Sequence, residues 1–199
     1  MNCAVFPKAS SRELWAWAFY DFANSGYTTV VQTTIFSAYF VGVVAGSLQA
    51  ANPGLSTLLW SLAIGTANFV VMMSGPLLGA IADHHACKKL FLFVSSIGCI
   101  LATALLALVG PGDVYLGMIL VVVSAIMFAT GENLIAAFLP ELASEESRGR
   151  LSGYGWGLGY FGGLLTLALC LAYITWAKQQ GYNWSTTRGS RRMQNQRRV

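Results

Sequence analysis

Leu14-Trp-Ala-Trp-Ala-Phe-Tyr-Asp21-Phe-Ala-Asn24-Ser25-Gly-Tyr-Thr28-Thr-Val-Val-Gln32-Thr-Thr-Ile-Phe-Ser-Ala-Tyr39-Phe40 decides the fold. The stretch is long and apolar enough to cross a bilayer, yet it contains a carboxylate. Asp21, Asn24, Ser25, Thr28, Gln32 and Tyr39 follow one another at helical spacing. At about 100° per residue they make one narrow stripe on a helix. An ionisable group in hydrocarbon costs several kcal/mol, so the stripe is expected to face protein or water rather than lipid. Two readings fit: a helix lining a polar pathway, or a polar seam that only fastens helices together.

Composition agrees with a membrane chain. Of 199 residues, 55% are hydrophobic and only 10% charged, against about 25% charged in a soluble domain. Mean hydropathy is +0.58. The net charge of +4 comes from short connections and the ends, which argues against a nucleic-acid surface. Cys3, Cys87, Cys99 and Cys170 show neither a CxxC pair nor metal-ligand spacing. The first apolar run is far longer than a signal-peptide core of about 7–15 residues. His84 and His85 are adjacent and cannot form the i, i+4 metal pair of a metalloprotease. The glycines at 153–163 lack the Lys-Ser/Thr ending of a phosphate loop. No enzyme and no cofactor is expected.

The expected fold is all-α and polytopic, with about five transmembrane helices near residues 14–44, 57–82, 90–109, 114–138 and 151–176. Residues 1–13 form a cytoplasmic head and 177–199 a basic, disordered tail. Asn52-Pro53-Gly54 and Gly110-Pro-Gly-Asp113 read as turns. Pro76 removes a backbone donor and is expected to kink the second helix. Gly75 and Gly79 there are spaced for close approach of another helix. Gly155, Gly159 and Gly163 share a face of the fifth helix. Isolated glycines cost about 1 kcal/mol each in a helix, so close packing or a rocking element must justify them. Glu132 is a second intramembrane carboxylate, with Asn133 beside it. Asp21 lies about 10 Å into its span at 1.5 Å per residue, and Glu132 lies at a similar depth. Together they could couple a proton; the alternative is a structural acid bonded to Asn24, Asn133 or backbone.

Lys8 and Arg12, Lys88 and Lys89, and Arg148 and Arg150 all fall on one side of a five-span topology, which makes the N-terminus cytoplasmic. The tail, with Arg188, Arg191, Arg192, Arg197 and Arg198, falls on the opposite side and breaks that rule. By this reading the chain looks interrupted.

Gly79-Ala-Ile-Ala-Asp83-His-His-Ala-Cys-Lys88-Lys89 resembles the loop between the second and third helices of major facilitator superfamily transporters. Gly79, Ala82, Asp83, Lys88 and Lys89 match its pattern; His84, Ala86 and Cys87 depart from it. The resemblance implies a gating latch, beside the plainer reading of a positive-inside loop. Tyr20-Asp21-Phe22-Ala23-Asn24-Ser25 is similar to a signature of the vacuole-effluxer-like branch. So are Asn133 to Pro140-Glu141 and Arg148 to Gly163. This resemblance implies a partial N-terminal bundle of a twelve-helix fold, its C-terminal half missing. It implies efflux of small solutes, amino acids among them, by alternating access with protons as candidate coupling ions. The cavity residues would be Asp21, Asn24, Ser25, Thr28, Gln32, Glu132 and Asn133. The membrane would be a bacterial inner membrane, or a vacuolar one in a eukaryote. The alternative function is a truncated membrane protein that acts only through helix association.

Overall fold

The computed structural model describes residues 10–84 and 88–180. Among these it contains helices and turns and no strand. Five helices are long and apolar enough to cross a membrane: α1 Ser11–Val44, α2 Leu55–Ile81, α3 Lys88–Leu108, α4 Val114–Leu142 and α5 Glu145–Gln179. The chain is an integral, multi-pass, all-α membrane protein. Its large exposed hydrophobic side chains, such as Phe69, Phe93, Ile119 and Leu164, are what a lipid-facing surface requires.

Several ends differ from the sequence reading. The first helix begins at Ser11, inside the expected head, because Ser10 and Glu13 form a reciprocal capping box. That box satisfies two orphan N–H groups at a helix start. The second helix runs from Leu55 through His84, two residues past the expected end at 82, with Pro76 inside it. The fifth starts at Glu145, not 151, with Glu145 and Glu146 in its first turn, where acids complement the helix dipole. It continues to Gln179, past the expected start of the tail at 177. Residues 181–199 and His85 to Cys87 lie outside the described residues. The α4 span ends in a short separate turn of helix, Leu139–Leu142, with Pro140 in its first turn.

The two turns read from Pro and Gly are present. Gly54 and Gly112 have φ of 91° and 88°, a conformation that costs glycine nothing. The second turn is braced by Asp113, whose carboxylate accepts from Gly110 N at 3.1 Å, while Gly112 N donates to Val44 O at 2.9 Å.

The first helix is the axis of the bundle. It packs antiparallel to α4: Trp17 meets Ile135, Tyr27 meets Ser124 and Phe40 meets Gly117. It packs parallel to α5: Trp17 faces Gly155, Ser25 faces Gly159 and Thr29 faces Gly163. Two apolar clusters hold its ends. One contains Trp17, Ala18 and Ile135; the other contains Phe40, Val44, Val109, Val114 and Val121. Most of the polar stretch lies between them.

α1 is not a uniform α-helix. Thr28–Thr34 and Phe40–Val44 are π-helical, a wider winding that often marks functional segments. Threonine hydroxyls supply a local cause. Thr33 Oγ1 donates to the carbonyls of Thr28 and Thr29 at 3.0 and 2.9 Å, and Thr34 Oγ1 donates to Thr29 O. Side-chain bonds of this kind compete with the regular backbone ladder.

Candidate functional site

The polar residues of α1 divide between two neighbours. Asp21 and Ser25 face α5. A Cβ built on Gly159 would lie 2.7 Å from Ser25 Oγ and 2.9 Å from an Asp21 carboxylate oxygen. A Cβ on Gly155 would lie 3.6 Å from that oxygen and also meet the Trp17 ring. The space that Asp21 occupies therefore exists because α5 has no side chain there. Gly162 and Gly163 extend the approach, against the Phe22 carbonyl and Thr29 Oγ1. Gly26 returns it from α1, facing Thr166.

Asn24 faces α4 instead. Its Nδ2 donates to Glu132 Oε1, tying the two helices together inside the span. Gln32 lies within reach of the Tyr27 hydroxyl, which is also on the α4 side. The single stripe of the sequence reading is thus a band straddling two neighbours. The π-helical segment adds to this, since its wider turns change the register beyond Thr28. Thr28 is half-buried, and its carbonyl accepts from Thr33. Asn133 is exposed and does not join Glu132.

Three side chains that the sequence reading left unassigned complete the α1 interface. Trp17 Nε1 donates to Ile135 O at 3.1 Å. Tyr20 Oη lies 3.1 Å from Ser96 Oγ. Because the Ser96 hydroxyl donates to Leu92 O at 2.7 Å, the tyrosine is the donor. Tyr27 Oη likewise lies 2.7 Å from Ser124 Oγ, whose proton goes to Val121 O at 3.0 Å. The Tyr27 ring stacks on Phe128 with centroids 4.8 Å apart. Trp17, Tyr20, Asn24 and Tyr27 are spaced i, i+3, i+7, i+10. That helical face was present in the sequence but obscured by the more polar stripe beside it.

The candidate gating residues are only partly brought together. Asp83 lies in the last turn of the second helix, and its side chain lies outside the described residues. Lys88 Nζ pairs with Glu141 Oε1 at 2.7 Å and lies 6.0 Å from the centre of the Phe138 ring. This pair links the start of α3 to the short helical turn that ends α4. Glu141 had no assigned role in the sequence reading, although it follows Pro140 in the effluxer-like stretch. Lys89 is exposed. Gly75 and Gly79 have nothing within 4 Å of a built Cβ, so no helix among the described residues uses that approach.

Comparison with known proteins places these elements in a family. The model of the vacuole effluxer Atg22-like family matches residues 54–189, which include Glu132, the Lys88 pair and the glycine face of α5. The chain belongs to the vacuole effluxer Atg22-like family. The polar band of α1 lies before the matched stretch. A relative of this effluxer-like chain, the uncharacterized MFS-type transporter YxiO of Bacillus subtilis, is 35% identical over 166 residues. These cover 83% of the chain but 38% of the relative, so the chain spans well under half of that protein's length. No solved structure matches the chain.

Proposed function

We propose that this chain supplies helices of a secondary transporter that moves small solutes across a membrane by alternating access. Family membership and the relative named as an MFS-type transporter support the reading. The observation that carries it is the enclosure of the polar face of α1 by protein, with Asn24 bonded to Glu132 on one side. On the other side Asp21 is set against glycines. Intramembrane polar groups arranged like this belong to solute or ion pathways. The solute would pass along a wall made by Asp21, Asn24, Ser25, Thr28, Gln32 and Glu132. Amino acids are the solute class that the resemblance to vacuolar effluxers implies. The Lys88–Glu141 pair would be a contact that forms in one state and breaks in the other.

The test uses a chimera in which this chain replaces the segment it matches in the Bacillus subtilis relative. Chimera and relative are reconstituted in liposomes and assayed for counterflow of a labelled amino-acid mixture. Saturable flux in both, abolished in the chimera by Asn24→Leu, is the expected result. Flux by the relative with none by the chimera would count against the reading, and would favour a protein acting through helix association.

A further inference from the structure

α1 is fixed at both ends and wound differently between them. Its first half is bonded to its neighbours through Trp17, Tyr20, Asn24 and Tyr27. Its far end is set in an apolar cluster, where Phe40 and Val44 are fully buried. There Gly112 N donates to Val44 O at 2.9 Å and Ser56 Oγ to Ala45 O at 2.8 Å. Between these anchors lie two wide turns. Ile35 N donates to Val30 O and Ala45 N to Phe40 O, each five residues back instead of four. Such a turn holds one residue more than an α-helix needs, and it leaves a backbone carbonyl without its usual donor. The residues separating the two turns, Ile35–Tyr39, are α-helical.

The hydroxyls around the first wide turn suit both windings. Thr33 Oγ1 lies 3.0 Å from Thr28 O, five residues back, and 2.9 Å from Thr29 O, four back. Its proton is thus shared between the acceptor of a wide turn and that of an ordinary one. Thr34 Oγ1 donates to Thr29 O, five back; in an α-helix Val30 O stands four back and takes its place. These hydroxyls serve the carbonyls that the wide turn leaves over. A third hydroxyl stands further along: Ser37 Oγ donates to Thr34 O at 3.1 Å. Packing allows movement here, since Thr33 and Ala38 are exposed and Ile35, Phe36, Ser37 and Tyr39 only half-buried.

We propose that the extra residue of the first wide turn travels along α1, from Thr28–Thr34 to the turn just before Phe40. Ile35–Tyr39 then rotates as a unit while both ends of α1 stay in place. Each residue that the extra one passes turns by one helical step, about 100°. The threonine hydroxyls hold the extra residue at its present place, and Ser37 offers the equivalent hydroxyl at its destination. The rotation withdraws Tyr39 Oη from Val109 O, now 3.1 Å away. It also parts the Phe36 ring from Trp60, where the centroids are 6.1 Å apart. Gln32, five residues beyond Tyr27 and within reach of its hydroxyl, is turned about 140° from it once the winding between them is α-helical. α1 therefore has two discrete arrangements that exchange side-chain contacts without tilting the helix. Use of this switch in alternating access rests on the transport reading above; the rotation itself does not.

The experiment uses the full 199-residue chain in liposomes, with Cys3, Cys87, Cys99 and Cys170 replaced by serine. Nitroxide labels are placed on Ala38→Cys and on Leu101→Cys of α3, both exposed positions, and their separation is read by pulsed electron–electron double resonance. The expected result is two distances from position 38, and a single one when the first label sits on Phe19→Cys in the anchored half. Thr33→Val with Thr34→Val removes the hydroxyls that favour the first wide turn and should shift the ratio of the two distances several-fold. Ser37→Ala should shift it the opposite way, and Thr33→Ser should leave it unchanged. A single distance from 38 in every variant, or two whose ratio neither variant moves, overturns the proposal. So does a matching change at Phe19→Cys, which would mean that the whole helix moves. The distances need no flux, so the two readings fail separately. A chimera without transport sinks the transport reading and leaves the rotation to stand. A transporting chimera beside a single distance from 38 sinks only the rotation.

Discussion

At the scale of single residues, the polar contacts of α1 differ in what a substitution should cost. Tyr27→Phe removes one donor to Ser124 and keeps the ring on Phe128. Interhelical hydrogen bonds in membrane proteins average about 0.6 kcal/mol, so the loss should be about that size, read from unfolding in mixed micelles. Glu132→Ala should cost more, about 1–3 kcal/mol, because it strands the Asn24 amide. Glu132→Gln should cost little, because an acceptor remains. Equal losses for the two Glu132 variants would show that the bond to Asn24 contributes nothing. The candidate site was legible in the sequence to the extent that polar atoms announce themselves. Asp21, Asn24 and Glu132 stood out as polar groups in apolar runs. Which donor met which acceptor did not stand out, because that depends on the rotation of α4 and α5 about α1. Tyr20 and Tyr27 were overlooked because an aromatic residue in a span reads first as apolar bulk.

At the scale of elements, the pairing of α1 with α5 turns on the absence of side chains. Gly159→Ala would place a methyl 2.7 Å from Ser25 Oγ and 2.9 Å from Asp21. Overpacking of this kind costs about 1–3 kcal/mol. Gly157, two residues away on the same helix, has nothing within 4 Å. Gly157→Ala should be neutral or stabilising by up to about 1 kcal/mol through helix propensity. Thermal melting in detergent separates the two, and a larger loss at Gly157 would refute the pairing. The glycine spacing 155, 159, 163 was readable because period and residue type both signalled close approach. The winding of α1 was not. Thr28-Thr-Val-Val-Gln-Thr-Thr looks like any β-branched stretch of a span. Only the hydroxyl bonds from Thr33 and Thr34 to carbonyls four and five residues back reveal the wider turns. A wheel drawn at constant pitch therefore kept Gln32 and Tyr39 in line with Asp21, whereas they follow the change in winding. The Gly75 and Gly79 pair shows the reverse case: a legible pattern whose partner is not among the described helices.

At the scale of the whole molecule, the five helices and the placement of basic residues predict a topology. Cysteines placed at Asn52 and Asp113 should react with an impermeant maleimide from one side, and one placed at Ser147 from the other. Reaction of all three from the same side would overturn the five-span arrangement. The central claim is that α1 is a polar axis enclosed by protein, with α5 running parallel to it. The most direct measurement is a disulfide between Thr29→Cys and Gly163→Cys, with Cys3, Cys87, Cys99 and Cys170 replaced by serine. A Cβ on Gly163 would lie 3.5 Å from Thr29 Cβ, within the roughly 3.5–4.5 Å that a disulfide needs. The expected result is near-complete cross-linking within single chains under mild oxidation, seen by peptide mass spectrometry. A control pairing Thr29→Cys with Gly157→Cys should stay reduced. Free thiols at both 29 and 163 under the same oxidant would contradict the claim and leave the polar face of α1 without its protein wall.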